Sequence, residues 1–499
     1  MTAPPATTVG ELVTDMPVQL LGCDPSLTAR GLETDSRLVQ PGQAFVAVAG
    51  ARVDGHHFVD AARDAGAAVV VVSRDRRPPD GSWEGPTVVL DNTARRLPQL
   101  AARAYGQAAA KLDLVGITGT NGKTTTAHLV AGALAACGRP HVRLGTTGHW
   151  VGDREVPASF TTPFPAALHR LFYEAHRRGA TCGVMEVSSH ALAQGRIEGL
   201  EFRGVGMTSF SQDHLDYHHD LQDYLRAKCS LASAHLVAGG AVTVPVELGS
   251  VAQAFVSAGE RGGGRPCLVS AQGDMRAEWR IVGVHPHGPR TRLQLQTPLG
   301  SLVIDTGLIG RFNLDNLLIA AALLQVLGLS GDQIVEGLRV AHGAPGRLEP
   351  VLGPSAGPRV FVDYAHTPDA VARVIEAVRP HTPGRVVVVL GCGGDRDRTK
   401  RPLMARAALA GGDVLIATSD NPRTEDPEHI VDDMLRGLDD SRAERVIERR
   451  DAIARAIGQS GPEDTVLVLG KGHETVQIVG TRRLPFDDRR VAADALATG

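Results

Sequence analysis

The sequence predicts an α/β protein of three domains. The chain has 499 residues, which is more than one hydrophobic core usually supports. Short apolar runs alternate with helical patterns along most of it, and one such run leads through a glycine-rich loop into a helix. We therefore expect a central P-loop domain with a parallel sheet, flanked by a small N-terminal α/β domain and a C-terminal Rossmann-like domain.

Composition excludes several classes of protein. Lys and Arg number 52 against 55 Asp and Glu, and no long basic run is present, so neither nucleic acid nor an anionic membrane is expected as a partner. The six cysteines are scattered without a CxxC pair, which disfavours a zinc site and a disulfide framework and favours a reducing cytoplasm. The longest apolar stretch, 317–329, is shorter than the ~20 residues that span a bilayer, so we expect neither export nor membrane insertion.

The first two domains are expected at 1–108 and 109–343. Strand-like runs at 44–48 and 67–72 predict the small α/β domain. A buried strand at 112–118 opens the central domain and precedes a helix that lasts to about Cys137. Further parallel strands are predicted at the runs 142–146, 182–187 and 203–208, and an antiparallel patch at 279–284 and 291–296.

The third domain is expected at 344–499, after the Gly- and Pro-containing linker VAHGAPG. Each of its four β-rich runs ends in a polar loop, and these loops read DYAH, GCGGDRD, SDNPR and GKGHE. Loops at the carboxyl ends of parallel strands converge in open sheets, so the four together predict one composite binding site. Any one of them alone would be read as an ordinary turn.

The most specific motif is the phosphate loop: Gly119, Thr120, Asn121, Gly122, Lys123, Thr124 and Thr125. Glycines let backbone N–H groups approach a polyphosphate, Lys123 adds a full charge, and Thr124 can bind Mg²⁺. The spacing departs from GxxxxGK[ST], since Ile117 stands five residues before Gly122, and the chain has no NKxD tetrapeptide. The loop thus predicts nucleotide binding and disfavours an ordinary GTPase.

Three further residues are candidates on weaker grounds. Glu186 ends a predicted strand beside the loop, where it is either a ligand of the same Mg²⁺ or a solvated carboxylate. His214 lies in the polar run SQDHLDYH, which is either a metal site or a helix entry. Lys228 has leucines three residues to either side, so part of its stem is expected to be buried, although an exposed lysine is the common alternative.

The loop TGTNGKTTT resembles that of the Mur ligases, ATP-dependent amide-forming enzymes of bacterial wall precursor synthesis. Within the family the chain is most similar to the members that add meso-diaminopimelate to UDP-N-acetylmuramoyl-L-alanyl-D-glutamate. The matching motifs occur in family order through all three predicted domains. They are TDSR (34–37), TTP (161–163), MEVSSHAL (185–192), SQDHLDYH (211–218), GRFNLDN (310–316), GRLE (346–349), DYAHTPD (363–369), GCGGDRDRTKRPLM (391–404), DNPR (420–423) and GKGHE (470–474).

The resemblance implies roles for the catalytic centre. The catalytic residues that it implies are Lys123, Glu186, His214 and Lys228. The residues that it implies near Mg²⁺ are Thr124, Glu186, His214 and Lys228. Lys228 matches a carbamylated lysine of the family, in which an anionic group replaces an ammonium that would repel the metal. Asn313, Asn316, Arg347 and Asp363 are implied to bind ATP, although an asparagine at a helix start also serves as a cap.

The resemblance also assigns the two other substrates. It places Ser36 near the uridine and Thr161, Thr162, Ser189, Gln194 and Arg196 along the muramoyl dipeptide, with Arg52 matching a contacting stretch only loosely. Phe160 and the pair Ser209-Phe210 depart from the usual family residues, which puts local contacts in doubt. For diaminopimelate it implies Arg396, Asp420, Asn421, Pro422, Arg423, Gly470 and Glu474. A guanidinium and carboxylates together suit a zwitterion.

The resemblance leaves three rival hypotheses: a lysine-adding relative, a folate polyglutamate synthetase, and a regulatory protein that hydrolyses ATP without forming a bond. The DNPR and TDSR motifs disfavour the first two. We expect a cytoplasmic monomer whose partners are its small-molecule substrates.

Overall fold

The computed structural model of the protein describes residues 3–50, 53–76, 85–215, 217–287, 290–351, 353, 357–438 and 441–498. The chain divides into two compact units. The first comprises Met1–Thr306 and Asp315–Ala341, and the second comprises Gly307–Leu314 and His342–Gly499. The three-domain boundaries expected at 108 and 343 stay a prediction.

The amino-terminal part of the first unit is built on a five-stranded sheet. In spatial order its strands are Gln19–Leu21, Thr87–Leu90, Val69–Ser73, Ala44–Val46 and Leu32–Glu33. A two-stranded ribbon pairs Ala6–Thr8 with Thr28–Arg30. The helices are Val9–Leu12, Val59–Asp64 and Thr93–Ala104, the last capped by the Asn92 side chain. Valines fill both faces of Val69–Ser73, as expected for a central parallel strand.

An eleven-stranded sheet forms the rest of the first unit. Its order is Arg154–Val156, Gly148–Val151, His141–Gly145, Cys182–Glu186, Asp113–Thr118, Phe202–Met207, Leu236–Pro245, Arg265–Ser270, Trp279–His287, Arg290–Thr297 and Gly300–Thr306. The predicted strands at 112–118, 142–146, 182–187 and 203–208 are adjacent in this order and pair in parallel with one another. On its other side, His141–Gly145 pairs antiparallel with Gly148–Val151. The last three strands pair antiparallel with each other, which confirms the predicted patch.

Helices cover this sheet. They are Lys123–Ala136, Pro165–Arg177, Ser189–Ala193, Leu221–Ala234, Ser250–Glu260, Arg311–Val326 and Gly331–Val340, and the first residues of Arg311–Val326 belong to the second unit. Short 3₁₀ turns span Ser36–Leu38, Gly55–Phe58, Arg74–Arg76, Ala108–Lys111 and Val246–Leu248. The phosphate-loop helix is buried along most of its length, since alanines, leucines and threonines occupy nearly every face.

The second unit contains a six-stranded sheet in the order Glu349–Val351, Arg359–Asp363, Thr465–Leu469, Val386–Cys392, Val414–Ser419 and Ala443–Arg445. Its helices are Pro368–Val378, Lys400–Gly411, Pro427–Leu435, Arg449–Gly458 and Asp488–Thr498, with a 3₁₀ turn at Arg379–His381 and a hairpin of Val476–Val479 with Arg482–Pro485. The four strands predicted to end in polar loops are adjacent and parallel. The predicted α/β class is therefore confirmed in both units.

Two further findings concern membrane-spanning helices and cysteines. Among the described residues, no helix is both long enough and apolar enough to span a membrane. All six cysteines are free thiols.

Candidate active site

The phosphate loop joins the Asp113–Thr118 strand to the helix that begins at Lys123. Gly119 and Gly122 have φ angles of +142° and +90°, which strongly favour glycine. A Cβ atom at Gly119 would clash with the Thr208 hydroxyl, and one at Gly122 would clash with the Asn316 side-chain oxygen. The loop therefore needs both glycines for its backbone shape and for space.

Lys123 folds back over this loop. Its ammonium group donates to the carbonyl oxygens of Gly119 at 2.8 Å and Thr120 at 3.0 Å. The helix N-terminus adds partial positive charge at the same place. The loop thus concentrates positive charge where a polyphosphate would bind.

Glu186 lies beside the loop, as the strand pairing requires: it is opposite Ile117 on the neighbouring strand. Its carboxylate is fully buried and accepts hydrogen bonds from the Thr124 hydroxyl at 2.9 Å, the Thr146 N–H at 2.9 Å and the Thr146 hydroxyl at 3.0 Å. The alternative of a solvated strand-end carboxylate is therefore wrong. A hydroxyl and a carboxylate oxygen together form a donor set of the kind Mg²⁺ prefers.

Lys228 is buried against the same loop. Its amine donates to the Gly119 carbonyl oxygen at 2.8 Å and lies 4.3 Å from the centre of the Tyr224 ring. Burial, with the positive charge of Lys123 nearby, holds the pKa of this amine well below its ordinary value. The common alternative, an exposed lysine, does not apply here.

His214 belongs to an aromatic group next to Lys228. Its ring is about half exposed and meets the His190 ring edge-on at 4.8 Å, and its φ of +55° is unusual for histidine. Tyr224 connects the group to the loop, since its hydroxyl lies 3.2 Å from that of Thr120. Across the part of the chain that the structure describes, no cluster of three or more His, Cys, Asp or Glu residues is arranged to hold a metal ion.

Ser209, one of the departures from the family pattern, braces the loop directly. Its hydroxyl accepts from the Asn121 N–H at 2.9 Å and donates to the Asn121 carbonyl at 3.0 Å. Phe210 stacks on Tyr224 with the ring centres 5.3 Å apart. The departure thus brings its own contacts to the loop backbone.

The residues expected at the muramoyl dipeptide lie together near Glu186. The Thr162 hydroxyl donates to the Glu186 carbonyl at 2.9 Å, and Arg196 donates to the Thr162 carbonyl at 2.9 Å and to Gln194 at 2.8 Å. The Thr161 hydroxyl lies 3.0 Å from that of Thr146. The Ser189 hydroxyl is buried and has no hydrogen-bond partner among the described residues.

Phe160, the other departure from the family pattern, is half exposed. The Arg196 guanidinium lies 5.2 Å from the centre of the Phe160 ring and 3.8 Å from the centre of the Phe164 ring. Both rings therefore lie close to this cation, and their centres are 5.0 Å from each other. Ser36 begins a 3₁₀ turn in the amino-terminal part of the unit and is partly exposed. Arg52 lies outside the described residues.

In the second unit, the residues expected at ATP have structural contacts of their own. The Asp363 carboxylate accepts from the backbone N–H groups of Leu348 at 2.6 Å and Ala365 at 2.7 Å, and burial raises its pKa. The Arg347 guanidinium lies 4.8 Å from the centre of the Tyr364 ring. Asn313 donates to the Ile309 carbonyl at 2.8 Å. Through the hydrogen bond from Leu348, Asp363 thus links the GRLE segment to the end of the Arg359–Asp363 strand.

The DNPR and GKGHE loops meet at the carboxyl edge of the six-stranded sheet. The Asn421 amide donates to the Glu474 carboxylate at 2.7 Å. Gly470 has a φ of +113°, and a Cβ there would approach Asp420 Oδ2 within 2.6 Å. The Asp420 carboxyl is buried beside this glycine. Two of the four loops predicted to share one site are therefore in contact.

The GDRD loop lies against the DNPR loop. Arg423 donates from Nη1 to the Gly394 carbonyl at 2.7 Å, with a backbone φ of +52°, and the Gly394 N–H donates to the Asn421 carbonyl at 2.9 Å. Pro422 is buried at this contact, while Arg396 is exposed. The other donors of the Arg423 fork have no partner among the described residues.

Sequence comparison matches three family models to successive parts of the chain. The one described as the Mur ligase family, catalytic domain, matches residues 28–105; the Mur ligase middle domain matches 117–324; and the Mur ligase, glutamate ligase domain, matches 346–472. A UDP-N-acetylmuramoyl-L-alanyl-D-glutamate–2,6-diaminopimelate ligase of Thermosynechococcus vestitus is 42% identical over 94% of this chain and 93% of the relative. The chain belongs to the Mur ligase family.

Solved structures agree with this family assignment. A UDP-N-acetylmuramoyl-L-alanyl-D-glutamate–2,6-diaminopimelate ligase has a TM-score of 0.72 and 31% identity, with 99% of each chain covered. A folylpolyglutamate synthase of Mycobacterium tuberculosis, complexed with ADP and AMPPCP, has a TM-score of 0.61 at 19% identity, covering 76% of this chain and 92% of the other. The second likeness is one of fold alone.

Three buried residues of this Mur ligase escaped the sequence analysis. Lys471, inside GKGHE, contacts the side chains of Asn421 and Glu474. Arg449 and Asp488 form a fully buried ion pair at 2.7 Å, and Arg449 also donates to the carbonyls that end two site strands. Lys471 had a local signal, because it stands between two glycines. The ion pair had none, since its partners are far apart in the chain.

Proposed function

We propose that this Mur ligase adds meso-2,6-diaminopimelate to UDP-N-acetylmuramoyl-L-alanyl-D-glutamate at the expense of ATP, in peptidoglycan precursor synthesis. The observation that carries the proposal is the match along the whole chain to ligases named for this reaction. The geometry supports it independently, because a phosphate loop and a cluster of ammonium- and carboxylate-binding groups occur in one protein.

The first chemical step is activation of a carboxylate. An oxygen of the D-glutamyl γ-carboxylate attacks the γ-phosphorus of ATP, and the bond to the β–γ bridging oxygen breaks, giving an acyl phosphate and ADP. Lys123 and the N–H groups at the start of its helix offset the charge that otherwise keeps a carboxylate from a polyphosphate. Asn316 lies against this loop. We also assign Asn313, Arg347 and Asp363 to ATP, on the family resemblance.

The donor set beside the loop fits Mg²⁺. Thr124 and Glu186 offer hard oxygen ligands 2.9 Å apart, and we assign His214 and Lys228 to the same metal region. When bound, Mg²⁺ would neutralise phosphate charge.

Lys228 serves this region as a carbamate. A neutral amine, which burial favours here, reacts with CO₂ through its lone pair and loses a proton, giving an anionic oxygen group. As a bare ammonium it would repel a divalent cation; as a carbamate it would offer oxygen to one.

The UDP-linked substrate is proposed to bind the first unit. Ser36 is assigned to the uridine end, and Thr161, Thr162, Ser189, Gln194 and Arg196 to the muramoyl dipeptide. The buried Ser189 hydroxyl supports this, because an unpaired buried hydroxyl is costly unless a ligand completes it. Arg196, which lies close to the Phe160 and Phe164 rings, would supply the cation for a substrate carboxylate.

The amine is proposed to bind the second unit. Asp420, Asn421, Pro422, Arg423 and Glu474, with Arg396 and Gly470, are assigned to diaminopimelate. Its amine attacks the acyl carbon, a tetrahedral intermediate forms, and phosphate leaves as the amide bond closes. No covalent bond to the enzyme is needed in this sequence of steps.

A ligase that adds L-lysine is the second candidate, because the same edge of the six-stranded sheet would accept the ammonium group of lysine. The two amino acids differ by one carboxylate, and Arg423 would offer that group the donors of its guanidinium that have no partner among the described residues. The guanidinium favours diaminopimelate.

A product assay by mass spectrometry tests the proposal. ATP and UDP-muramoyl dipeptide are supplied with diaminopimelate, L-lysine, L-glutamate or no amine. The expected product is the diaminopimelate-containing tripeptide, with phosphate release that requires both carboxylate and amine. Equal phosphate release without either substrate would support a regulatory ATPase instead.

A further inference from the structure

Lys471 lies at the carboxyl edge of the six-stranded sheet, beside the residues assigned to diaminopimelate. Among the described residues of the second unit, it is the one lysine whose side chain is completely buried. Its neighbours Gly470 and Gly472 have φ angles of +113° and +52°. A Cβ at Gly472 would approach Tyr364 Cβ within 2.7 Å. The two glycines therefore let the chain turn tightly enough to carry the lysine stem inward.

The ammonium group uses all three of its donors. It donates to the Val476 carbonyl at 2.7 Å, Asn421 Oδ1 at 3.1 Å and Glu474 Oε2 at 3.3 Å. It also lies 3.6 Å from Asp420 Oδ1, a buried oxygen with no hydrogen-bond partner among the described residues. Lys471 is thus a buried cation beside two protein carboxylates, those of Asp420 and Glu474, which are proposed to bind the substrate.

These contacts determine how Asn421 is turned. Its Oδ1 accepts from Lys471 and from the Ile478 N–H at 2.9 Å, and both of those groups can only donate. The amide nitrogen must therefore face the other way, where it donates to Glu474 Oε2 at 2.7 Å. Both contacts of Glu474 go to Oε2, and within the described residues Oε1 has no partner.

We propose that Lys471 is a positioning residue for the incoming amino acid. It holds Asn421 and Glu474 in one arrangement and keeps Glu474 Oε1 directed to the substrate ammonium. It also balances one of the two adjacent negative charges of Asp420 and Glu474. This inference rests on the proposed function.

The test is a double-mutant cycle on full-length enzyme: wild type, K471M, E474Q and K471M/E474Q. Methionine keeps most of the stem and removes the ammonium. We expect K471M to raise the KM for diaminopimelate about 30-fold, the range for a lost hydrogen bond to a charged group, while the KM for ATP changes less than about 2-fold. In the E474Q background, K471M should raise the KM for diaminopimelate less than about 5-fold, because Lys471 acts through Glu474.

K111M, which removes an exposed lysine of the first unit, serves as the control. Equal effects of K471M in both backgrounds, or an unchanged KM for diaminopimelate, would overturn the inference. If K471M does not fold, E474Q and K471M/E474Q remain to be compared, and a double variant much weaker than E474Q contradicts it. A wild type that ligates no diaminopimelate defeats the proposed function itself, and the inference with it.

Discussion

The phosphate loop and the amino-acid edge both follow the carboxyl ends of parallel strands, but they are built differently. The amino-acid edge is the carboxyl edge of the six-stranded sheet, where we propose that diaminopimelate binds. The phosphate loop consists of seven consecutive residues, and it presents backbone groups and Lys123. The amino-acid edge is assembled from DNPR, GDRD and GKGHE, and side chains such as Asn421, Glu474 and Lys471 bind one another. A contiguous site depends on local conformation, whereas a composite site depends on buried polar networks that hold separate loops in place.

The largest effect is expected at the ion pair below the amino-acid edge. Arg449→Met leaves Asp488 buried without its partner, so the free energy of unfolding of the second unit should fall by about 3–5 kcal/mol in denaturant titrations. The matched control R449M/D488L removes both charges and should recover most of this loss. A single variant as stable as wild type would mean that the edge does not depend on this pair.

At the phosphate loop, Lys123→Ala should reduce kcat by roughly 100-fold or more, because a full charge near the transferred phosphoryl group is lost. The fold should persist, because the loop keeps both glycines and its backbone hydrogen bonds to Ser209. Lys111→Ala is the control. Near-normal turnover of the Lys123 variant would contradict the assignment of this loop to ATP.

Lys228→Ala tests whether the loop also needs an anionic group. We expect a loss in kcat of about 100-fold, partly restored by small carboxylic acids such as acetate, which can occupy the space and offer oxygen to a divalent ion. The same acids should not restore Lys123→Ala. Normal activity of Lys228→Arg would show that the residue acts as a cation or a packing stem.

Arg423→Ala should reduce the preference for meso-diaminopimelate over L-lysine by about 10- to 100-fold in kcat/KM, since a charge-assisted pair is lost. The KM for ATP should stay constant. Arg373→Ala, at a surface ion pair on a helix of the same unit, provides the control. Comparable wild-type kcat/KM values for the two amino acids would favour the lysine-adding alternative.

The smallest effect is expected for Ser209→Ala. Two hydrogen bonds to Asn121 are lost, but the loop keeps its glycines and its other backbone contacts, so the KM for ATP should rise only about 5-fold. Ser460→Ala, whose hydroxyl bonds within its own helix region, is the control. A loss beyond 50-fold would show that the phosphate loop, like the amino-acid edge, depends on distant side chains.

Local pattern was sufficient for the α/β class, the phosphate loop and several strands of the eleven- and six-stranded sheets, although not for the parallel strands Leu236–Pro245 and Arg265–Ser270. These features depend on short-range periodicity and on glycine conformations, which neighbouring residues specify. The family resemblance then supplied roles for scattered residues such as Glu186, Lys228 and Glu474, roles that spacing alone left open.

Tertiary structure decided which polar groups are buried and what they contact. Glu186 is enclosed because its strand pairs beside the phosphate loop, and Arg449 meets Asp488 across 39 positions of chain. Lys471 became a candidate only when its ammonium was found among Asn421, Glu474 and Asp420. Desolvation and charge pairing depend on where distant segments pack, and the order of residues along one segment carries no information about that packing.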